Sequence, residues 1–213
     1  MEKKIKIGLF SGSFNPIHTG HLIIANYMCQ FEDLDEVWFM PNHIPAYKDN
    51  TEIVSGIDRY HMVEMAIEPY AYFKASDFEL KQDGATYTCN TLALLKKTYP
   101  QHEFYFIMGA DSLIHFLQWK EPGQLVNLAT FLVAARDDVS KSLIVDRMHA
   151  IQHEFNHAAF YVVDCPIIRC SSSEIRKKLM QSVVEKQESI MSYLNTYLDE
   201  DVLAYIRQKQ LYI

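Results

Sequence analysis

A chain of 213 residues with 49% hydrophobic side chains can bury a sizeable core as a single domain. Its net charge of −7, with no basic stripe to offset it, argues against a nucleic-acid binder but still allows a small anionic ligand held by local cations. No apolar run approaches the ~18–20 residues of a membrane span, Met1-Glu2-Lys3-Lys4 lacks a signal-peptide cleavage site, and Cys29, Cys89, Cys165 and Cys170 are too scattered for a disulfide framework or a zinc site. The expectation is a cytoplasmic protein with reduced, mostly buried thiols and no membrane partner.

In chain order, strand-like runs alternate with helical patterns. Ile5–Phe10 is the first strand, rich enough in Ile, Leu and Phe to be buried on both faces. A turn, Gly12-Ser13-Phe14-Asn15-Pro16-Ile17-His18-Thr19-Gly20-His21, leads into a helix over Leu22–Phe31. Glu36–Met40 is a strand stopped by Pro41. The long Pro41–Val54 connection carries Pro45 and Lys48, a semi-rigid loop with a cation. A helix over Ser55–Glu68 ends at Pro69, a short strand lies near Tyr72–Ala75, and a helix runs from Thr88 to Tyr99. Glu103–Met108 is the strongest strand and stops at Gly109. A short helix over Asp111–Leu117, a strand over Thr130–Ala135, a helix over Ser140–Phe155 and a strand over Phe160–Val163 follow. After Ile168 only helical patterns remain, opening near Ser171 and continuing over Val183–Tyr197 and Asp199–Lys209. Such alternation implies βαβ units in an α/β fold: a Rossmann-like, doubly wound parallel sheet with a helical C-terminal extension. We read 1–213 as one domain, with a core over 1–168 and a helical part over 169–213.

Ligands of such sheets bind beyond the carboxyl ends of the strands, near a switch in strand order. His18 and His21 follow the first strand, and Gly109-Ala110-Asp111 follows the strongest, so both fall on that edge. The turn places two imidazoles and several N–H groups at a helix N-terminus, which attracts anions and phosphate above all. Pro16 stiffens it, and Gly20 leaves room for close approach to the backbone. Neither a Walker A loop nor GxGxxG is present. Ser171 and Glu174 match a capping box, and Ser172, Ser173 and Arg176 make the same helix start a second candidate anion site. Two phosphate-friendly helix starts suit a ligand with several phosphates. His149, His153 and His157 are spaced as helical metal ligands can be, but they lie opposite the apolar stripe Ile144, Met148, Ile151 and Phe155, and are assigned to a solvated face. No metal-ligating residue is assigned.

Gly12–His21 resembles the GxFxPxHxGH motif of the nucleotidylyltransferase superfamily, and Ser171-Ser172-Ser173-Glu174-Ile175-Arg176 is similar to the SSTxIR motif of its bacterial nicotinate-nucleotide adenylyltransferase branch. Asp83-Gly84-Ala85-Thr86-Tyr87-Thr88, Gly109-Ala110-Asp111 and Trp119 occur in that branch's order, and the resemblance runs through to Val202–Ile206. It implies transfer of AMP from ATP to nicotinate mononucleotide, forming nicotinate adenine dinucleotide and pyrophosphate in NAD biosynthesis. By the same resemblance, His18 and His21 are catalytic. Gly12, Ser13, Phe14, Lys48, Gly109, Asp111, Ser171, Ser172 and Arg176 bind ATP and its phosphates. Thr86, Tyr87 and Trp119 receive the nicotinate nucleotide, and Mg²⁺ arrives with ATP. From the residues alone, Asp111 also reads as a helix N-cap and Trp119 as a core aromatic. Asn15 stands where many members carry Asp, Cys170 where Ile is usual, and Ala46-Tyr47-Lys48 where Pro-His-Lys is common; Asp137-Asp138 after Arg136 leaves that arginine without an assigned role. Rival readings are an adenylyltransferase for nicotinamide mononucleotide or phosphopantetheine, a non-catalytic nucleotide sensor, and a fragment of a class I aminoacyl-tRNA synthetase. Homo-oligomerisation is compatible with the sequence.

Overall fold

A computed structural model describes residues 3–43, 53–84, 86–135, 139–166, 168–185 and 187–213. Lys48 and Arg136 lie outside the described residues. Among those described, six parallel strands form one sheet: β1 (Ile5–Gly12), β2 (Glu36–Pro41), β3 (Phe73–Ala75), β4 (His102–Gly109), β5 (Thr130–Ala135) and β6 (Phe160–Asp164). The spatial order is β3-β2-β1-β4-β5-β6. The chain winds outward through β2 and β3, then returns to lay β4 on the other side of β1, so the switch in strand order falls between β1 and β4. Side chains alternate across the sheet as period two requires. Ile7 and Leu9 of β1, with Phe104, Phe106 and Met108 of β4, face one core, while Tyr105 and Ile107 of β4 face the other.

The first of these cores is covered by α3 (Thr88–Thr98), α4 (Ala110–Ile114), α5 (Pro122–Leu128) and α6 (Lys141–Glu154). The opposite core is covered by α1 (Thr19–Glu32), α2 (Gly56–Ile67) and the C-terminal helices α7 (Ser172–Val184), α8 (Glu188–Tyr197) and α9 (Glu200–Gln208). Ile190, Leu194, Val202 and Ile206 of those helices pack with Met28 and Met62 in one continuous cluster, each fully buried aliphatic side chain contributing about 1.5–3 kcal/mol. The helical C-terminal segment therefore closes the face of the sheet that carries α1.

Two elements differ from the sequence reading. Val183 and Val184 finish α7 as exposed residues, and α8 begins only after Gln187. The extra helix α5 starts at Pro122, whose fixed φ suits a first helical position, after Glu121 in the left-handed region. Along α6, Ile144 and Ile151 are buried while His149, His153 and His157 are exposed, and His157 lies beyond the helix end. All four cysteines are buried, and burial pushes the Cys170 thiol up to about 11, so it stays protonated at neutral pH. No helix among the described residues is long and apolar enough to cross a membrane.

Candidate active site

Strands β1 and β4 end side by side, and a cavity of about 390 Å³ opens between the segments that follow them. Its size suits a small-molecule site. Gly12, Ser13, Phe14 and His21 form one wall, Gly109, Asp111 and Ser112 another, and Thr86, Tyr87, Thr88 and Trp119 a third. Residues distant in sequence thus meet where the strand order switches.

His18 is the N-cap of α1 in extended conformation, 6% exposed, and His21 lies one turn into the helix. Their rings lie 3.8 Å apart between centroids, with His21 also against the edges of Phe10 and Phe14. The His18 backbone N–H donates to His21 Nδ1 at 3.2 Å. With Nδ1 accepting, a neutral His21 ring carries its proton on Nε2. Gly20 is explained differently from the sequence reading. A Cβ there would lie 3.0 Å from the His18 ring, so the space is used by His18 and not by a ligand approaching the backbone.

The Ser171–Arg176 motif also takes a place the sequence did not indicate. Ser171 caps α7, its Oγ accepting from the Glu174 N–H at 3.2 Å. Ser172 Oγ donates to the Pro16 carbonyl at 2.9 Å, and Arg176 Nη1 donates to the Asn15 carbonyl at 3.0 Å. The single hydroxyl proton of Ser172 is therefore directed at the first motif in this arrangement. With Ser173, Lys177 and Tyr212, Arg176 lines a second hollow of about 660 Å³. Ser172 and Arg176 bond to the Gly12–His21 turn, and neither they nor Ser171 line the cavity that holds Gly109 and Trp119.

In the third wall, Tyr87 is the N-cap of α3, so the N-terminus of that helix points toward the cavity. Trp119 packs against Phe106 and Phe116 with ring centroids 5.9 Å and 5.6 Å away, as the core-aromatic reading expects, while also lining the cavity. Asp111 lines the cavity from the first turn of α4, whose N-cap is Gly109, which removes the capping alternative.

Several residues escaped the sequence reading. Lys120 places its Nζ 4.4 Å from the Tyr87 ring centroid at the cavity wall, and a cation next to Trp119 was the available signal. Glu79, 3% exposed, lines the cavity and accepts from Thr91 Oγ1 at 2.8 Å. Burial holds its carboxyl above the usual carboxylate range, although hydrogen bonds from Thr91 and Thr86 and the charge of Arg59 pull the other way. Arg59, 1% exposed, and Tyr212, which donates to Asn15 Oδ1 at 2.8 Å, complete the buried polar shell under the turn. Nothing in their local sequence marks either one.

A parallel sheet with donor-rich helix starts at its strand-order switch defines a nucleotide-binding α/β protein. A family model for cytidylyltransferase-like proteins matches residues 9–178. The chain is 36% identical to the "Probable nicotinate-nucleotide adenylyltransferase" of Shewanella pealeana over 98% of this chain and 96% of that protein. It is 41% identical to the protein of the same name from Bacteroides fragilis over 83% of each. A solved structure described as "Plasmodium falciparum nicotinic acid mononucleotide adenylyltransferase complexed with NaAD" superposes with a TM-score of 0.77 at 21% identity, covering 97% of each chain, and shares the fold. The chain belongs to the nicotinate-nucleotide adenylyltransferases of the cytidylyltransferase-like family.

Proposed function

We propose that this protein transfers AMP from ATP to nicotinate mononucleotide, the acceptor phosphate attacking the α-phosphate in line and pyrophosphate departing. Family membership supports this reading, and one observation carries it to the residues: a single cavity at the β1/β4 switch unites the Gly12–Phe14 backbone, His21, Asp111, Thr86, Tyr87 and Trp119. The attacking group is a phosphate, largely ionised at neutral pH because its second pKa is ~6. No general base is required. Catalysis then rests on positioning and on stabilising charge as it develops.

In this reading His21 offers its Nε2–H to the α-phosphate, and the His18 ring, tilted against it, fixes its plane or donates alongside it. Arg176 and the open N-terminus of α7 hold the departing phosphates at the second hollow, and Lys48 adds positive charge. Gly109 and Asp111 meet the adenosine, Asp111 at a ribose hydroxyl. The Thr86 and Tyr87 N–H groups receive the nicotinate carboxylate, with Lys120 adding charge and Trp119 stacking on the pyridine ring. A carboxamide would turn NH₂ protons toward those donors, so acid is preferred over amide. Among the described residues no three His, Cys, Asp or Glu side chains gather as a metal cage. Mg²⁺ enters as part of the Mg-ATP substrate, keeping several of its waters.

The test offers Mg-ATP with nicotinate mononucleotide, nicotinamide mononucleotide or phosphopantetheine and follows pyrophosphate. Release is expected with the first and slower release with the second. No release with the first sinks the proposal, and faster release with the second overturns the acid preference alone.

A further inference from the structure

Arg59 lies in α2, outside every motif that the function uses, yet it is among the most deeply buried side chains, at 1% exposure. A buried guanidinium ordinarily pairs with a carboxylate. Among the described residues no ion pair involves it. It is surrounded by carbonyl oxygens instead. Nη1 donates to Ser13 O at 2.8 Å, Nη2 to Asn42 O at 2.6 Å and His43 O at 3.4 Å, and Nε to Val54 O at 3.2 Å. Three segments converge on one planar fork: the turn after β1, the end of β2 and the approach to α2. Only arginine presents donors in that geometry.

The bond to Ser13 has a directional consequence. A trans peptide is planar, with its C=O and N–H pointing opposite ways. Asn15–Pro16 is the cis peptide of the described chain, so Ser13–Phe14 is trans. With the Ser13 oxygen held from behind by Arg59, the Phe14 N–H points to the other side, where Gly12, Ser13 and Phe14 wall the cavity. Phe14 itself has φ 43, a left-handed conformation that a non-glycine residue keeps only when its surroundings impose it. Consecutive N–H groups turned outward by such a residue form an anion-binding concavity.

We propose that Arg59 is a positioning residue for the phosphate site: it grips the Ser13 carbonyl from behind, aims the Phe14 N–H into the first cavity at the α-phosphate end of bound ATP, and locks that turn to the ends of β2 and of the β2–α2 connection. The proposal rests on the reading of this turn as the ATP phosphate site.

The test compares Arg59→Lys, which keeps the charge but not the fork, and Arg59→Met with the parent protein. Calorimetry measures binding of a non-cleavable ATP analogue, thermal melting monitors folding, and steady-state kinetics measures both KM values. Folded Arg59→Lys should bind the analogue roughly 10- to 100-fold more weakly, as expected for loss of one charge-assisted bond, and raise KM for ATP while leaving KM for nicotinate mononucleotide within about twofold. Mere loss of active protein would lower kcat and move neither KM. A folded Arg59→Lys with parental affinity and parental KM for ATP overturns the proposal. Should neither variant fold, hydrogen exchange on the parent protein decides: the Phe14 amide should gain protection when the analogue binds, and unchanged protection overturns the proposal. If the parent binds the analogue but releases no pyrophosphate with nicotinate mononucleotide, the proposed reaction fails while the role of Arg59 is still tested by binding.

Discussion

At the start of α1, a turn with two imidazoles places His21 in the wall of the β1/β4 cavity; at the start of α7, a serine and an arginine bond to the carbonyls of that same turn. Both helix starts carry the equipment of an anion site. Only the first spends its donors on the cavity wall, because Ser172 and Arg176 meet the carbonyls of Pro16 and Asn15 across more than 150 residues of chain. The comparison separates the capacity to bind phosphate, which a helix N-terminus always has, from its use, which depends on the group packed against it.

Substitutions can break this contrast, and the largest effect is expected at the first helix start. His21→Ala or His18→Ala should lower kcat by ~10²–10³, in line with deletion of single transition-state donors, with a modest loss of ATP affinity. Pyrophosphate release at saturating substrates measures it, and a near-normal rate in either variant makes that imidazole structural. Arg176→Ala should lower kcat/KM for ATP by roughly 10- to 100-fold and also reduce stability, since one charge-assisted bond is worth about 1.5–3 kcal/mol. Melting and kinetics together would show both losses; a purely thermal effect would make Arg176 a strut alone. Ser172→Ala should cost about 0.5–1.5 kcal/mol in unfolding free energy, with kcat changed by less than about threefold. A large rate loss at parental stability would return that hydroxyl to the substrate.

The smallest effect lies at Glu79 and appears as a slope. Its folded pKa is raised by burial, so the folded state holds this proton more tightly than the unfolded chain does. Stability tied to that proton is fully present below the ordinary glutamate value and lost as pH rises through the raised folded value. Melting temperatures of Glu79→Gln relative to the parent should therefore climb across that window and level off above it. A difference that stays flat with pH would mean that the carboxyl experiences no net burial penalty.

The α/β alternation was legible because buried strands such as Glu103–Met108 read as continuous apolar runs and their connecting helices keep a helical period. The Gly12–His21 turn was legible because glycine, proline and two histidines crowd into ten residues after a strand. Arg59, Glu79 and Tyr212 were not, because a polar residue inside an amphipathic pattern looks the same whether it faces water or a ring of carbonyls. The short helix α5 was masked by Glu121, which takes a left-handed conformation that few side chains prefer.

The sequence alone determined which segments are strands and helices, which edge of the sheet carries the chemistry, and the kind of anion it suits, since these follow from local periodicity and from residue types close together in the chain. Tertiary structure decided which donors face the cavity. It also placed the arginine of α2 beneath the first motif and turned part of the second motif into the first one's support. Hydrogen-bond donors are directional, and which acceptor each one meets is set by packing between segments that only the folded sheet brings together.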